Sequence, residues 1–233
     1  METTLHRQLK ALYAVGDARQ EVQFEGFRID AIRAGELIEI QQASLGALRQ
    51  KTRSLLEGHH VRIVKPLALR KRIVHHKARG IPVGKGRMSP LHEGWLHIFD
   101  DLVHFIDVFP HPRLILDVVL TEQVELRTPR TPPRRFGRNY RVTDRKLTAV
   151  LETKTLRTTL DLAALLPVNL PSEFTTEELS KLGAIPRWLS QRIAYCLKKS
   201  GAALPVGKRG NAWVYALKDA SPDRIPLQQT PSL

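Results

Sequence analysis

Cysteine is almost absent from the sequence: Cys196 is the single one among 233 residues. One cysteine excludes an intramolecular disulfide and any zinc site that is built from cysteine ligands. The chain also lacks an apolar run of about 18 residues, which a membrane-spanning helix needs, and it lacks the apolar core of a signal peptide. These absences predict a cytoplasmic protein with no membrane segment.

Acidic residues are too few to balance the basic ones. The 23 Asp and Glu residues stand against 37 Lys and Arg residues, and the formal net charge is +14. Phosphates that a basic surface neutralises release their counterions, so a polyanion is the favoured partner of such a chain. We expect this partner to be double-stranded DNA; a basic surface that only improves solubility is the alternative. An RNA-associated factor is allowed by the charge, but aromatic residues make up only 6% of the chain and form no RNA-binding signature.

Residues 27–41, FRIDAIRAGELIEIQ, alternate between apolar and polar positions on both sides of Ala34 and Gly35. Alternation that is interrupted by a two-residue link predicts a β-hairpin. With Ala34 and Gly35 as the loop, Asp30 lies directly opposite Glu39, and the pairing places both side chains on one face of the sheet. Two carboxylates so close repel each other, so they require a cation or a function.

Gln41 extends this cluster, because residues two apart on a strand share a face. The order Asp30, Glu39, Gln41 resembles the active-site hairpin of the PD-(D/E)xK, or restriction-endonuclease-like, nuclease superfamily, whose usual triad is Asp, then Glu or Asp, x, Lys. Gln41 stands where lysine is usual. Some superfamily members carry Glu-x-Gln and remain active, and others take the lysine from the following helix, where this chain has Arg49 and Lys51.

The resemblance covers roughly the first half of the chain and implies an α/β fold with a mixed sheet flanked by helices. It also implies that Asp30 and Glu39 bind Mg²⁺, with Mn²⁺ as the alternative, for phosphodiester hydrolysis. Gln41 would then orient water or contact the phosphate, and Lys51 or Arg49 would supply the positive charge. The competing interpretation is an ordinary amphipathic hairpin whose acids pair with nearby arginines.

The elements predicted on either side of the hairpin agree with such a core. Apolar spacing predicts an amphipathic helix over residues 3–15, a second helix over 44–57 and a strand over 60–67. A helix that crosses between two strands favours their parallel pairing. In the superfamily the opening helix often contributes another acid, but this helix has only Glu2. Glu21, near the first strand, is therefore the candidate additional acid, and a solvated strand edge is the alternative.

A change of composition marks residues 127–146, where prolines and arginines are frequent. We predict a nuclease-like domain over residues 1–126, followed at 127–146 by a linker or an arm that lies along a DNA groove. The arginines that we expect to contact DNA there are Arg134, Arg135 and Arg138.

Residues 147–218 are predicted to form a small second domain. Helices are predicted over residues 144–156 and 161–166. Thr175 and Glu178 have the spacing of a capping box, which predicts a further short helix after them.

The end of this domain resembles the winged helix-turn-helix family over about residues 160–217. Pro186 begins a longer helix, and a basic turn at 207–210 joins two short strands. The resemblance implies that helix 186–199 enters the major groove and that the terminal hairpin contacts the DNA backbone, although many winged helices bind protein instead. We predict a disordered tail over 219–233. The residues expected to contact DNA are Arg187, Arg192, Lys208 and Arg209.

Two functions follow from these patterns. The first is a metal-dependent DNA endonuclease whose winged helix positions the substrate. The second is a catalytically inactive DNA-binding or regulatory protein that is built on a nuclease-like fold.

Overall fold

The computed structural model describes residues 2–77, 82–132, 135, 137 and 139–218. Its first part has the order helix, strand, strand, strand, helix, strand that the sequence predicts. These elements are α1 (Thr4–Tyr13), β1 (Arg19–Phe24), β2 (Phe27–Arg33), β3 (Glu36–Ile40), α2 (Arg49–Leu55) and β4 (Val61–His76). A short 3-10 helix, Leu45–Leu48, leads into α2.

The next elements complete one large mixed sheet. They are β5 (Pro82–Met88), α3 (Ile98–Leu102), β6 (Leu114–Pro129) and β7 (Tyr140–Leu156), and a 3-10 helix, Trp95–His97, precedes α3. The strand order is β1-β2-β3-β4-β6-β7, with β5 paired to β4 outside this path. β3, β4 and β6 are parallel to one another, whereas β2 and β7 are antiparallel to their neighbours. The predicted parallel pairing across α2 and the predicted mixed α/β sheet with flanking helices are confirmed.

The two faces of this sheet have separate apolar cores, because successive residues of a strand point to opposite sides. Leu5 and Leu9 of α1 pack on one face, against Ile38, Ile40 and Val64. The opposite face carries the larger core, in which strand residues pack against α2 and α3. The strand and helix residues that define this second face include Leu37, Ile63, Val118, Leu55, Phe99 and Leu102.

The hairpin of β2 and β3 has the predicted loop and register. Ala34 and Gly35 have φ values of +48° and +80°, and positive φ at both central residues is the requirement of the type I′ turn that suits two-residue hairpins. Glycine meets this requirement without strain. The ladder pairs Arg33 with Glu36, Ile32 with Leu37 and Ala31 with Ile38, as the sequence predicts.

The predicted helix over residues 144–156 is wrong, because these residues belong to β7. Apolar residues at Leu147, Val150 and Leu151 imitate helical spacing, but β7 pairs along its length with β6 and has register shifts at three points. β-branched residues such as Val150 and Thr153 suit a strand, and long-range pairing outweighs the weak helical signal.

Strands of the main sheet also run into the predicted linker. β6 extends to Pro129 and β7 begins at Tyr140, so half of residues 127–146 lie in two paired strands rather than in a linker. A boundary at residue 147 would cut β7. Arg135 lies in the turn between these strands, whereas Arg134, Arg138 and the tail 219–233 lie outside the described residues.

The remaining elements form the C-terminal part. They are α4 (Thr159–Ala163), β8 (Glu173–Thr175), α5 (Thr176–Leu182), α6 (Arg187–Ser200), β9 (Ala203–Arg209) and β10 (Ala212–Leu217). β10 lies between β8 and β9 in a three-stranded sheet. The capping box of Thr175 and Glu178, the helix after Pro186 and the terminal hairpin are confirmed. No helix in the described part of the chain is both long and apolar enough to cross a membrane.

The C-terminal part shares the larger core of the main sheet. Leu189, Ile193 and Leu197 of α6 are fully buried and belong to the same apolar cluster as Leu102 and Phe105. We therefore expect the described elements to unfold together rather than as a main domain and a separate small domain.

Ile193→Val tests this shared core. Deleting one buried methylene should lower the free energy of unfolding by about 1 kcal/mol. Urea unfolding, followed by tryptophan fluorescence and by circular dichroism, should give one transition in both proteins. Leu204→Val is the matched control, since Leu204 is half exposed and should change stability little. A second transition that only Ile193→Val moves would show that α6 belongs to an independent unit.

Candidate active site

Asp30 lies where β2 and β3 separate, one residue beyond the last pair of their ladder. Its Oδ2 accepts a hydrogen bond from the backbone N–H of Ile40 at 2.7 Å. Its Oδ1 lies 3.1 Å from Nε2 of His6, which belongs to α1. α1 begins two residues before His6, where the Thr3 side chain accepts the backbone N–H of His6 and so caps the helix.

Glu39 is buried on β3, with 6% of its surface exposed. Its Oε1 lies 2.5 Å from Nζ of Lys51. The same ammonium donates to the backbone carbonyl of Arg28, also at 2.5 Å. Lys51 of α2 therefore joins the acid of β3 to the neighbouring strand β2.

The prediction that Asp30 and Glu39 share one face of the sheet is wrong. Leu37 and Ile29 belong to the core on the face of α2 and α3. Glu39, two residues after Leu37, therefore points to that face and meets Lys51. Asp30, which follows Ile29, points the other way and meets His6 of α1.

The two carboxylates are nevertheless close enough to interact. Besides burial, the charge of Asp30 raises the pKa of Glu39, and Asp30 accepts the backbone N–H of Ile40, the residue after Glu39. The Asp30 side chain therefore takes a main-chain donor of β3 beyond the last ladder pair, Ala31 with Ile38. The sequence pattern treats the strand as regular and cannot show this contact.

Their ionisation differs. Burial raises the pKa of Glu39 to about 7, and the nearby charge of Asp30 adds to this effect, although Lys51 opposes it. Burial also opposes ionisation of Asp30, but hydrogen bonds from His6 and from the Ile40 N–H outweigh it and lower the Asp30 pKa. The hydrogen bond with Asp30 raises the pKa of His6, against the effect of burial. Near neutral pH the pair therefore combines an ionised acid with one that is close to its titration point.

The site offers two carboxylates that could bind a divalent cation of the Mg²⁺ type. Among the described residues no group of three or more His, Cys, Asp and Glu side chains is placed to hold a metal ion. Mg²⁺ can bind through only one or two carboxylates, because it keeps several of its water ligands. A buried acid whose pKa is raised beside a second carboxylate would also be stabilised by a cation. Asp30 and Glu39 are therefore the residues of this site that could hold such an ion.

Two further residues of the predicted site lie away from the acid pair. The amide nitrogen of Gln41 donates to the carbonyl of Ser44 at 2.7 Å and closes the turn after β3. Glu21 forms ion pairs with Lys10 and Arg28, and both hydrogen bonds lower its pKa. The predicted additional acid is therefore engaged by these two cations rather than by Asp30 or Glu39.

His6 is the site residue that sequence reasoning missed. The superfamily resemblance points to an acid on the opening helix and gives no role to its histidine. A usable signal exists in the sequence: His6 and Lys10 are four residues apart, so they lie on one face of α1 between the buried leucines. Lys10 is also buried and pairs with Glu2 and Glu21.

The basic residues predicted on the C-terminal part have different surroundings. Arg192 forms an ion pair with Asp100 of α3 and stacks on Trp188, so its guanidinium is engaged within the chain. Arg187 is exposed and lies 3.7 Å from Glu177. At the tip of the terminal hairpin, the Lys208 ammonium lies 4.9 Å from the ring centre of Trp213 and Arg209 pairs with Glu178.

Arg187, Gln191 and Trp213 line one groove between α6 and the terminal hairpin. Arg187 and Gln191 are exposed, and Trp213 is 52% exposed. We call this groove with the adjoining Lys208 the helix–hairpin groove. It combines positive charge with a flat aromatic surface, whereas Arg192 pairs with Asp100 of α3 instead.

Comparison with known proteins finds a family whose model covers the residues of the main sheet. A family model described as "Domain of unknown function (DUF8091)" matches residues 3–157, which run from the start of α1 to the end of β7. A protein of Treponema pallidum (strain Nichols), described as "Uncharacterized protein", is 29% identical over 227 residues, which cover 97% of this chain and 89% of that protein. No solved structure matches the chain.

Proposed function

The chain belongs to the DUF8091 family, and we propose that it is a metal-dependent endonuclease that hydrolyses phosphodiester bonds of double-stranded DNA. The cation is Mg²⁺, with Mn²⁺ as the alternative. The observation that carries this proposal is that Asp30 accepts the backbone N–H next to Glu39, and that Glu39 contacts Lys51, at the end of the β2–β3 hairpin.

The arrangement of the sheet supports a restriction-endonuclease-like core. The order α1-β1-β2-β3-α2-β4 is the order that the superfamily resemblance implies, and the two acids lie on the expected hairpin. α1 and α2 pack on opposite faces of the sheet, so polar residues of both helices reach the point where β2 and β3 separate. Helices on both faces and a site at the ends of the strands are common in α/β folds.

The residues of the site then have distinct roles. A bound divalent cation supplies an activated water and stabilises charge on the phosphate; Asp30 and Glu39 would hold it. His6 keeps Asp30 ionised and oriented through its hydrogen bond. Lys51 provides the positive charge that Gln41 cannot, and it contacts Glu39 directly. This assignment places the lysine of the site on α2.

The direct test is nicking of supercoiled plasmid by the purified full chain, with Mg²⁺, Mn²⁺, Ca²⁺ or EDTA. We expect open-circular product with Mg²⁺ or Mn²⁺ and none with EDTA. The second candidate function, an inactive DNA-binding protein, is favoured by the net charge of +14. Retarded DNA in a gel without cleavage under any of these metals would reject the endonuclease and support that second function.

DNA binding by the helix–hairpin groove is part of the proposal. The succession α5, α6 and the β9–β10 hairpin supports a winged-helix module, with α6 as the helix that faces DNA. Arg187 and Lys208 lie at the two sides of the groove, and Trp213 offers a ring on which a sugar or base can pack. Arg135, in the β6–β7 turn, remains a predicted contact of the main sheet.

The double variant Arg187→Ala, Lys208→Ala should bind a DNA duplex about tenfold more weakly, because two phosphate contacts are lost. The binding constant should be measured by fluorescence anisotropy from 50 to 250 mM salt. A plot of its logarithm against the logarithm of the salt concentration should have a slope that is smaller in magnitude by about 2. Arg53→Ala, Arg157→Ala is the matched control, since it removes the same charge from two exposed sites on other elements. Equal slopes for the two double variants would show that only net charge matters.

A further inference from the structure

A cavity of about 130 Å³ lies beside α1, among strands of the main sheet. It is a separate space from the acid pair. The polar side chains that line it come from five places in the chain: Gln42 after β3, Lys65 and Lys71 of β4, Glu93 before α3, Gln123 of β6 and Arg145 of β7.

The cations of this cavity are unevenly paired. Lys65 is buried. Its ammonium forms an ion pair with Asp101 at 2.8 Å and donates a hydrogen bond to the carbonyl of Ala43 at 2.6 Å. Arg145 donates its Nε–H to one oxygen of Glu125 at 3.1 Å, and the other oxygen of that carboxylate accepts a hydrogen bond from Arg127.

Lys71 is half-buried, and its side chain has no hydrogen bond or ion pair within the part of the chain that the structure describes. Burial opposes the ionisation of Glu125, but the hydrogen bond from Arg127 and the charge of Lys71 help to lower its pKa. Glu93 is the one acid in the lining, and it accepts the N–H of Ala68 at 2.6 Å. The cations Lys65, Lys71, Arg127 and Arg145 therefore outnumber the carboxylates Glu93, Asp101 and Glu125 by one, and the Lys71 ammonium keeps donors that an anion can accept.

We propose that this cavity binds a phosphate monoester group, with Lys71 and Arg145 as its charged donors. Arg145 keeps guanidinium N–H groups beyond the one given to Glu125, and guanidinium matches phosphate oxygens in pairs. Gln123 donates one amide N–H to Thr121 at 2.8 Å and retains a second. The volume of the cavity is enough for several water molecules, and one phosphate group fits in a space of that size.

Two segments of the chain link the cavity to the acid pair. Leu5, which also lines it, precedes His6, and Gln42 follows Gln41. The amide of Gln42 donates to Thr3 at 2.7 Å and ties the loop after β3 to the start of α1. The proposal rests on the proposed function in one respect: the phosphate is then the terminal phosphate of a nucleic-acid strand, held next to Asp30. A free nucleotide carries the same group and is the other source.

Calorimetric titration of the full chain with inorganic phosphate, at constant ionic strength set with chloride, tests the cavity without any cleavage. We expect saturable binding that Lys71→Gln weakens at least tenfold. Arg72→Gln is the matched control, because Arg72 follows on β4, is exposed and does not line the cavity; it should bind phosphate like the unaltered protein. Lys71→Met, with unchanged melting temperature, serves if Lys71→Gln folds poorly.

The source of the phosphate is tested in EDTA with duplexes that end in 5′-phosphate, 3′-phosphate or hydroxyl groups. Tighter binding of one phosphorylated end, lost in Lys71→Gln, assigns the cavity to strand ends. Competition by a nucleoside monophosphate, with equal affinity for all three duplexes, assigns it to free nucleotides. Absence of phosphate binding, or equal loss in Arg72→Gln, overturns the proposal. Phosphate binding by a chain that never cleaves DNA would overturn the endonuclease alone.

Discussion

Asp30→Asn and Glu39→Gln should each reduce cation-dependent cleavage of DNA by about 10³-fold. Each substitution replaces an ionised oxygen ligand with a neutral amide of the same size, so the shape of the site is kept while its charge is lost. A bound cation contributes several kcal/mol of charge stabilisation, and about 4 kcal/mol corresponds to that factor in rate. The measurement is the initial rate of plasmid nicking in saturating Mg²⁺.

Glu57→Gln is the matched control for both variants. Glu57 is exposed at the end of the α2 region, so its change removes one carboxylate without touching the site. This variant should cleave at the unaltered rate. Nicking that persists in Asp30→Asn, purified in the same way, would mean that the activity comes from another site or from a contaminating nuclease.

Local chemistry explains why the hairpin could be predicted from sequence. Ala34-Gly35 is a pair that tolerates two positive φ values, and the apolar alternation on either side fixes the register by deciding which residues are buried. The same alternation assigned Asp30 and Glu39 to one face. It failed because it assumes a continuous ladder, whereas the Asp30 side chain takes the N–H of Ile40.

Longer-range pairing explains the errors in the second half of the chain. The sequence from Asp144 to Leu156 has both helical spacing and β-branched residues, and only β6 decides between them. Once β7 belongs to the main sheet, the boundary at residue 147 disappears. The match of the family model to residues 3–157 agrees with a unit that ends with β7.

The polar residues of the helices were the hardest to assign. Periodicity in α1 predicts which side is apolar, and Leu5 and Leu9 are buried accordingly. It does not say which strand the polar side meets, so the contact of His6 with Asp30 could be found only from the structure. Lys51 could be predicted as a residue of the site because α2 follows β3 closely in the chain, so the residues of α2 can reach only the nearby end of the hairpin.

Glu39→Gln should also make stability less dependent on pH. Burial raises the folded-state pKa of Glu39 from the ordinary 4.5 to about 7, so the folded protein holds this proton more tightly than the unfolded chain. The resulting stabilisation is complete below pH 4.5 and is lost as the pH rises through 7, by about 3 kcal/mol. Relative to the unaltered protein, the glutamine variant should therefore gain about that much between pH 4.5 and 8.5.

Urea unfolding at pH 4.5, 6, 7 and 8.5 measures this difference, and Glu57→Gln should show none. The titrations of Asp30 and His6 are present in both proteins and largely cancel in the comparison. If the difference in the free energy of unfolding between the two proteins stays constant with pH, the pKa of Glu39 in the folded state is an ordinary one.

At pH 8.5, Mg²⁺ should stabilise the unaltered protein more than Glu39→Gln, since a cation that binds only the folded carboxylates shifts the equilibrium towards the folded state. Equal stabilisation of both proteins by Mg²⁺ would place the cation away from Glu39.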